Sequence, residues 1–341
     1  MTRINLAVDV MGGDSGPLTT IEGIYKASKI HPKVNFRLFG NKKKIFDELK
    51  KYKSFKSFEI FHTEEFVKSN DAPVDALRKL KNSSLRLAIN DVYNQKSDGI
   101  ISAGNTGALM AISKFVLKTI PGISRPAIAG LMPTLRGENI ILDLGANIDC
   151  THENLIQFAI MGEVFSKLVL SRKKPKVAIL NVGSEEIKGN STVKRTFEEL
   201  EKNVKEINFH GFVEGNDINK GEVDVVVTDG FSGNIALKTA EGVADLILNF
   251  LKNAYESSFI AKLGYILSKP ALNRFKARID PRKYNGAILL GLNGIVVKSH
   301  GGTDSFGFSN AISVAVGLIE KDYNSEIKNT LTKHSSFFNS K

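Results

Sequence analysis

Six short stretches of the chain gather glycine with side chains that handle oxyanions. They cover residues 9–17 (DVMGGDSGP), 102–108 (SAGNTGA), 143–150 (DLGANIDC), 181–190 (NVGSEEIKGN), 228–234 (TDGFSGN) and 298–304 (KSHGGTD). Each stands where an apolar, strand-like run ends. Glycine lets a ligand approach the main chain, and N–H groups at helix starts favour anions. Any one stretch, taken alone, reads as a connecting turn. Six of them, carrying Asp, Asn, Thr, Ser and Lys, point to a single cleft on one edge, beyond the carboxyl ends of the strands of an open sheet.

Such a cleft needs strands that alternate with helices. Apolar runs at 4–10, 34–40, 57–62, 97–104, 176–183, 207–215 and 223–230 read as strands, and 125–133 and 138–147 as two consecutive ones. Helical patterns cover 18–28, a short segment after a capping Asn41, a long run over 74–96, then 152–170, 192–206, Gly233 onward and 309–323. Residues 286–301 return to strand, and the polar tail from Asn324 is expected to fray. The alternation predicts an α/β/α sandwich around a mainly parallel sheet, with strands such as DVVVT covered on both faces. One α/β domain over 1–341 is expected, with 246–283 a helical insertion.

Composition narrows the class. The chain has 341 residues, 42% hydrophobic and 24% charged, with net charge +11. One cysteine, Cys150, allows no intrachain disulfide and favours a reducing, cytoplasmic setting. The first residues do not read as a secretory signal, and no window is apolar enough to span a membrane. The positive charge suits nucleic acid, an anionic membrane or an acidic protein, or is plain lysine richness. No zinc-finger, RNP or basic-zipper pattern accompanies it, so no nucleic-acid partner is expected. The glycine stretches match neither a P-loop nor a Gly-x-Gly-x-x-Gly fingerprint, nor a serine-hydrolase elbow. Their acids have no recognised metal spacing, so neither a metal nor another cofactor is expected.

In order, DVMGGDSGP, SAGNTGALMA, RPAIAGLMPT, LDLGAN, LNVGSEEIKGN, VVVTDGFSGNIALKTAEG and YNGAILLGLNGIVVKSHG resemble the phosphate acyltransferases of bacterial phospholipid synthesis, the PlsX family. The resemblance runs to about Gly317. It departs at Val10, where alanine is typical, and at Ile288, where proline is common; both changes are apolar. The resemblance implies a Rossmann-like fold similar to isocitrate- and isopropylmalate-type dehydrogenases and phosphotransacetylases, and a homodimer. It implies the reaction of acyl-acyl-carrier-protein with inorganic phosphate to give acyl phosphate and free carrier protein. The product would feed a membrane glycerol-phosphate acyltransferase.

That reaction needs phosphate held as an anion and aimed at a thioester carbonyl, which takes N–H donors and a cation. Lys188 is the first candidate cation, against a solvated loop lysine; Lys298 and His300 come second. Asn105 and Asn234 are the candidate carbonyl donors, though each also suits a cap. Gly12, Gly13, Asp14, Gly104, Thr106, Asn147, Asn181, Ser184, Asp229 and Gly230 are expected around substrate and phosphate. Asp14 is expected to fix the first glycine turn. Direct attack by phosphate needs no protein nucleophile, so Cys150 reads better as a small buried hydrophobe than as an acyl carrier.

Within 246–283, Leu263, Ile266, Leu267, Leu272 and Phe275 recur at helical spacing, Arg274 and Lys276 add charge, and Pro270 is expected to divide two helices. A basic amphipathic segment suits an anionic membrane, the carrier protein, a second copy, or a hairpin packed on the body. The resemblance favours peripheral membrane contact. Two rival readings are a dehydrogenase of isocitrate type and a non-catalytic carrier-protein or membrane scaffold.

Overall fold

The computed structural model describes residues 3–204 and 207–333. The first half carries β1 (Ile4–Asp9), α1 (Pro17–Ile30), β2 (Val34–Gly40), α2 (Lys42–Leu49), β3 (Phe58–His62), α3 (Pro73–Lys79), α4 (Ser84–Tyr93), β4 (Gly99–Ser102), α5 (Thr106–Leu117), β5 (Ala127–Thr134), β6 (Gly137–Leu142) and α6 (His152–Val169). There follow β7 (Lys176–Leu180), α7 (Ser191–Asn203), β8 (Asn208–Val213), β9 (Val225–Val227), α8 (Gly230–Glu256), α9 (Phe259–Ile279), β10 (Ala287–Leu290), β11 (Ile295–Lys298), α10 (Ser305–Glu320) and α11 (Tyr323–Lys333).

Strand alternation sorts the core onto two faces. Leu6 and Val8 of β1, Ile101 of β4 and Val225 and Val227 of β9 pack on one side with α1, α2, α6, α7, α10 and α11. Ala7, Ile100 and Val226 face the other side, under α3, α4, α5 and the first turns of α8. The sandwich expected from the sequence is therefore present.

All described strands join one sheet in the order β3-β2-β1-β4-β11-β10-β5-β6-β9-β7-β8. Most pairings are parallel, but β10 runs antiparallel to both β11 and β5, and β5 and β6 form a hairpin. The sheet thus holds two parallel blocks of opposite direction. This corrects the single-edge cleft. The loops after β1, β4 and β11 emerge at one edge, and those after β6, β7 and β9 at the other.

Local chemistry explains where element boundaries differ from expectation. The long pattern over 74–96 is two helices, because Ser83 caps α4 by accepting from Arg86 N–H. Residues 286–301 form a hairpin of two strands rather than one. The helix expected from Gly233 begins at Gly230, where Asp229 caps it, so the helical arm starts well before residue 246. Pro270 lies inside a continuous α9. The break falls instead at Ser257–Ser258, with Ser258 capping α9 through Ala261 N–H. The expected helix over 192–206 closes at Asn203, and residues 205 and 206 lie outside the described residues. The tail does not fray at Asn324: α11 buries Tyr323, Ile327 and Leu331 in the core, Tyr323 edge-on to Phe165 of α6. Residues 334–341 of that tail lie outside the described residues.

At about 1.5 Å per residue, the 27 residues of α8 span about 40 Å. Its start is seated on the sheet, and its remainder pairs with α9 as an arm. Tyr255 stacks edge-on to Tyr265 at 5.4 Å and meets Ser268 Oγ at 3.1 Å, which fixes the two helices at the arm's end.

Candidate active site

The first edge is organised by a buried carboxylate. Asp9 accepts from Ser84 Oγ at 2.6 Å and Ser102 Oγ at 2.7 Å, and from the N–H groups of Met11 and Gly12. Burial raises its pKa, against the pull of those donors. Asp9 thereby ties the loop after β1 to α4 and to the end of β4. A Cβ on Gly12 would stand 2.7 Å from Gly104 N and 2.8 Å from Asp9 Oδ2, so only glycine permits this approach. Asp14 donates its N–H to Gly301 O at 3.0 Å, while its side chain is exposed. The carboxylate that fixes the turn is therefore Asp9, where Asp14 was expected.

Lys298 ends β11 and donates Nζ to Ala103 O and Ser299 O. Burial pulls its pKa down to about 8, opposed by Asp14 and Asp9 and helped by the charge of Lys238. His300 is exposed; its N–H donates to Asn285 Oδ1 at 2.9 Å, and its Nδ1 accepts from Gly302 N–H. Asn285 also donates to Ser299 Oγ and Gly307 O, so it anchors the whole loop.

At the second edge, Asp143 plays the part that Asp9 plays at the first. It is fully buried and accepts from the N–H groups of Ile128, Gly145, Ala146 and Asn147, and from Asn147 Nδ2. The pinned loop lies against the start of α8. Gly230 N–H donates to Asn147 O at 2.7 Å, and a Cβ on Gly233 would collide with the carbonyl oxygen of Asp143. The third loop closes on itself. Asn181 Nδ2 donates to Gly183 O and Lys188 O, and Lys188 pairs with Glu185 at 2.9 Å. Ser184 is exposed on it.

The amides separate cleanly once their partners are known. Asn105 caps α5 through Ala108 N–H and donates to Ser69 O and Asp71 O. Asn147 donates to Pro126 O and Asp143. Asn181 is spent on its own loop. Asn234 is exposed, stands beside Gly145, and has no hydrogen bond from its side chain among the described residues. Asp229 is spent on capping Ser232. At the α5 start, the exposed Thr106 and main-chain N–H groups remain available.

The structure thus gathers Gly12, Gly13, Asp14, Gly104, Asn105, Thr106, Lys298 and His300 at one edge, and Asn147, Asp229, Gly230 and Asn234 at the other. Asn181, Ser184 and Lys188 form a separate loop beside the second group. Lys238, one turn beyond Asn234 on α8, pairs with Glu241 at 2.7 Å, and its charge adds slightly to the lowering at Lys298. Sequence reasoning missed Lys238, although its i,i+4 spacing from Asn234 was available. Cys150 is half-buried, and burial first, then Asp143 and Asp229, pushes its thiol up to about 11. So high a pKa leaves little thiolate at neutral pH.

Among the described residues no helix is long and apolar enough to cross a membrane, and no group of three His, Cys, Asp or Glu is placed to hold a metal ion.

This architecture is that of a Rossmann-like α/β protein with a mostly parallel sheet. The fold is similar to a phosphotransacetylase from Streptococcus pyogenes (TM-score 0.62, 17% identity, 94% of each chain) and to the EutD phosphotransacetylase from Staphylococcus aureus (TM-score 0.59, 16% identity, 93% of this chain and 94% of that one). Residues 4–326 match the family model described as fatty acid synthesis protein, and the chain belongs to that family. It is 52% identical over 326 residues to the phosphate acyltransferase of Paramagnetospirillum magneticum, covering 95% of this chain and 93% of the relative. It is 49% identical over 318 residues to that of Methylococcus capsulatus, covering 93% of each. The chain is accordingly an acyltransferase of this family, and the dehydrogenase alternative is set aside.

The buried amine gives a pH signature. Between pH 8 and about 10.5 the unfolded chain holds the Lys298 proton and the folded chain has released it, so stability from this group rises with pH. Thermal melts of the wild type, referenced to Lys298→Met, are expected to gain stability across that window; a flat difference would contradict it.

Proposed function

We propose that the protein moves an acyl group from an acylated carrier protein to inorganic phosphate. A phosphate oxygen attacks the thioester carbonyl carbon, the carbon–sulfur bond breaks, and the carrier leaves as a thiol after taking up a proton. The reading is supported by the family match together with an exposed amide, Asn234, that no described neighbour engages, a buried amine, Lys298, and a Cys150 thiol held protonated. Asn234 donates to the carbonyl oxygen as negative charge develops there. The main-chain N–H groups of Gly13, Asn105 and Thr106, with Lys298 and His300, hold phosphate. Lys188, on the loop after β7, stands apart from that phosphate set and keeps a weak, solvent-exposed pair with Glu185.

The arm suits two further contacts. Val243, Leu246, Ile247 and Phe250 form an exposed i, i+3, i+4, i+7 stripe on α8, which fits a second copy of the chain. At the far end, Phe259, Ile260 and Leu267 are 77%, 81% and 84% exposed, and each gains about 2 kcal/mol on burial. With Leu263 and Ile266 they fit the surface of an anionic membrane, where the acyl phosphate passes to a membrane glycerol-phosphate acyltransferase. Leu272 is half-buried and Arg274 lines a hollow against the body, whereas Phe275 and Lys276 are exposed and extend the proposed contact along α9.

Purified protein mixed with palmitoyl-acyl-carrier-protein is expected to release carrier thiol and palmitoyl phosphate only when phosphate is present. Asn234→Ala is expected to lower kcat by 100-fold or more, and Cys150→Ala to leave it unchanged. Thiol release without phosphate, or loss of activity in Cys150→Ala, would overturn direct attack. The paired change Ile260→Ser and Leu267→Ser is expected to abolish co-sedimentation with phosphatidylglycerol vesicles; undiminished binding would remove the membrane contact.

A further inference from the structure

A hollow of about 710 Å³ lies at the root of the arm, sharing no residue with the six glycine stretches. The last turns of α9, the turn of the β5–β6 hairpin, the end of α6 and the segment after α9 form its walls. Arg172, Arg274, Arg278 and Lys283 line it against one carboxylate, Glu138. Four cations gathered around a hollow repel one another unless an anion joins them.

Their engagements show which are available. Arg278 donates Nη2 to Leu135 O at 2.7 Å, and its own carbonyl accepts from Tyr284 OH at 2.9 Å. Arg172 directs Nε to Asp224 at 3.1 Å. The side chains of Arg274 and Lys283 have no hydrogen bond or ion pair among the described residues. Two fixed guanidinium groups and two unengaged cations thus face one space. Guanidinium matches a phosphate in a bidentate way, and lysine adds a point charge.

The remaining wall is apolar. Val169, Leu170 and Ala277 line it, and Tyr284 also lines the hollow. The hollow is open to solvent, and its volume admits a compact ligand. We propose that this hollow binds a phosphate monoester carrying an apolar substituent, separately from the transfer cleft. The phosphate lies among Arg274, Arg278, Lys283 and Arg172, and the substituent lies on Val169, Leu170 and Ala277. The site stands on these residues alone and does not depend on the reaction assigned to the cleft.

The test uses the full chain in a Lys188→Ala, Asn234→Ala background, so that changes in the cleft are held constant. Hexyl phosphate, inorganic phosphate and phosphatidylcholine vesicles with or without phosphatidic acid are the probes. Calorimetry reads the soluble ligands, and co-sedimentation reads the vesicles. Hexyl phosphate is expected to bind more tightly than inorganic phosphate, and R274Q/K283Q to weaken it tenfold or more with an unchanged melting temperature. Arginine-dependent binding of hexyl phosphate without a phosphatidic acid effect assigns the site to a soluble ester. A phosphatidic acid effect lost in R274Q/K283Q assigns it to a lipid headgroup, and both support the site. Equal binding by R274Q/K283Q and its parent, or binding of neither phosphate ester, would overturn it. So would arginine-dependent binding of a polyglutamate peptide, lost in R274Q/K283Q, with no binding of hexyl phosphate.

Discussion

The reversal of strand direction at β10 and at the β5–β6 hairpin governs everything built on this sheet. In a wholly parallel sheet, one edge collects every strand-end loop. Here the loops after β1, β4 and β11 are separated from those after β6, β7 and β9 by the height of the sheet. A site that uses both sets needs an element crossing a face. α8 is that element, starting at the second edge with Asp229 and packing Ala236, Leu237 and Ala240 along one face of the sheet. Its close seating explains Gly230 and Gly233, where the main chain of residues 143–147 leaves no room for a side chain.

Each half of the sheet meets its loop in the same physical way. A buried aspartate at a strand end, Asp9 or Asp143, accepts several N–H or O–H bonds and holds a glycine turn in place. Burying a carboxylate is costly unless donors surround it, so these two carboxylates tie the loops to fixed geometry. Rigid loops of this kind present main-chain N–H groups to an anion without reorganisation when the reaction occurs. The candidate side chains then divide by commitment: Asn105, Asn147 and Asn181 build the loops, Lys298 is largely buried at the end of β11, and Asn234 stays exposed and unengaged among the described residues.

Much of this was legible in the sequence where the cause is local. Caps such as Asn41 and the apolar strand runs announce themselves within a few residues, and the ordered glycine stretches carry the family. Strand direction is not local, since it depends on which distant strand each one pairs with; hence the expectation of a single edge. Ser83 was hidden because the apolar pattern of 74–96 continues across the break it creates. α11 was read as a loose tail because polar residues outnumber Tyr323, Ile327 and Leu331, although three anchors suffice to seat it. The sequence showed the basic run that supplies Arg274, Arg278 and Lys283, but not the hollow beside α9, whose other walls, Glu138 and Arg172, come from distant segments.

The claim on which the account turns is that Asn234 and Lys298, from opposite edges, serve one cleft. A double-mutant cycle tests it most directly, with kcat/KM for phosphate measured for wild type, Asn234→Ala, Lys298→Met and the double variant. Residues that share a substrate are coupled, and the account predicts a combined loss that departs from the sum of the single losses by about 1 kcal/mol or more. Losses that add to within about 0.3 kcal/mol would place the two residues in independent sites and contradict it.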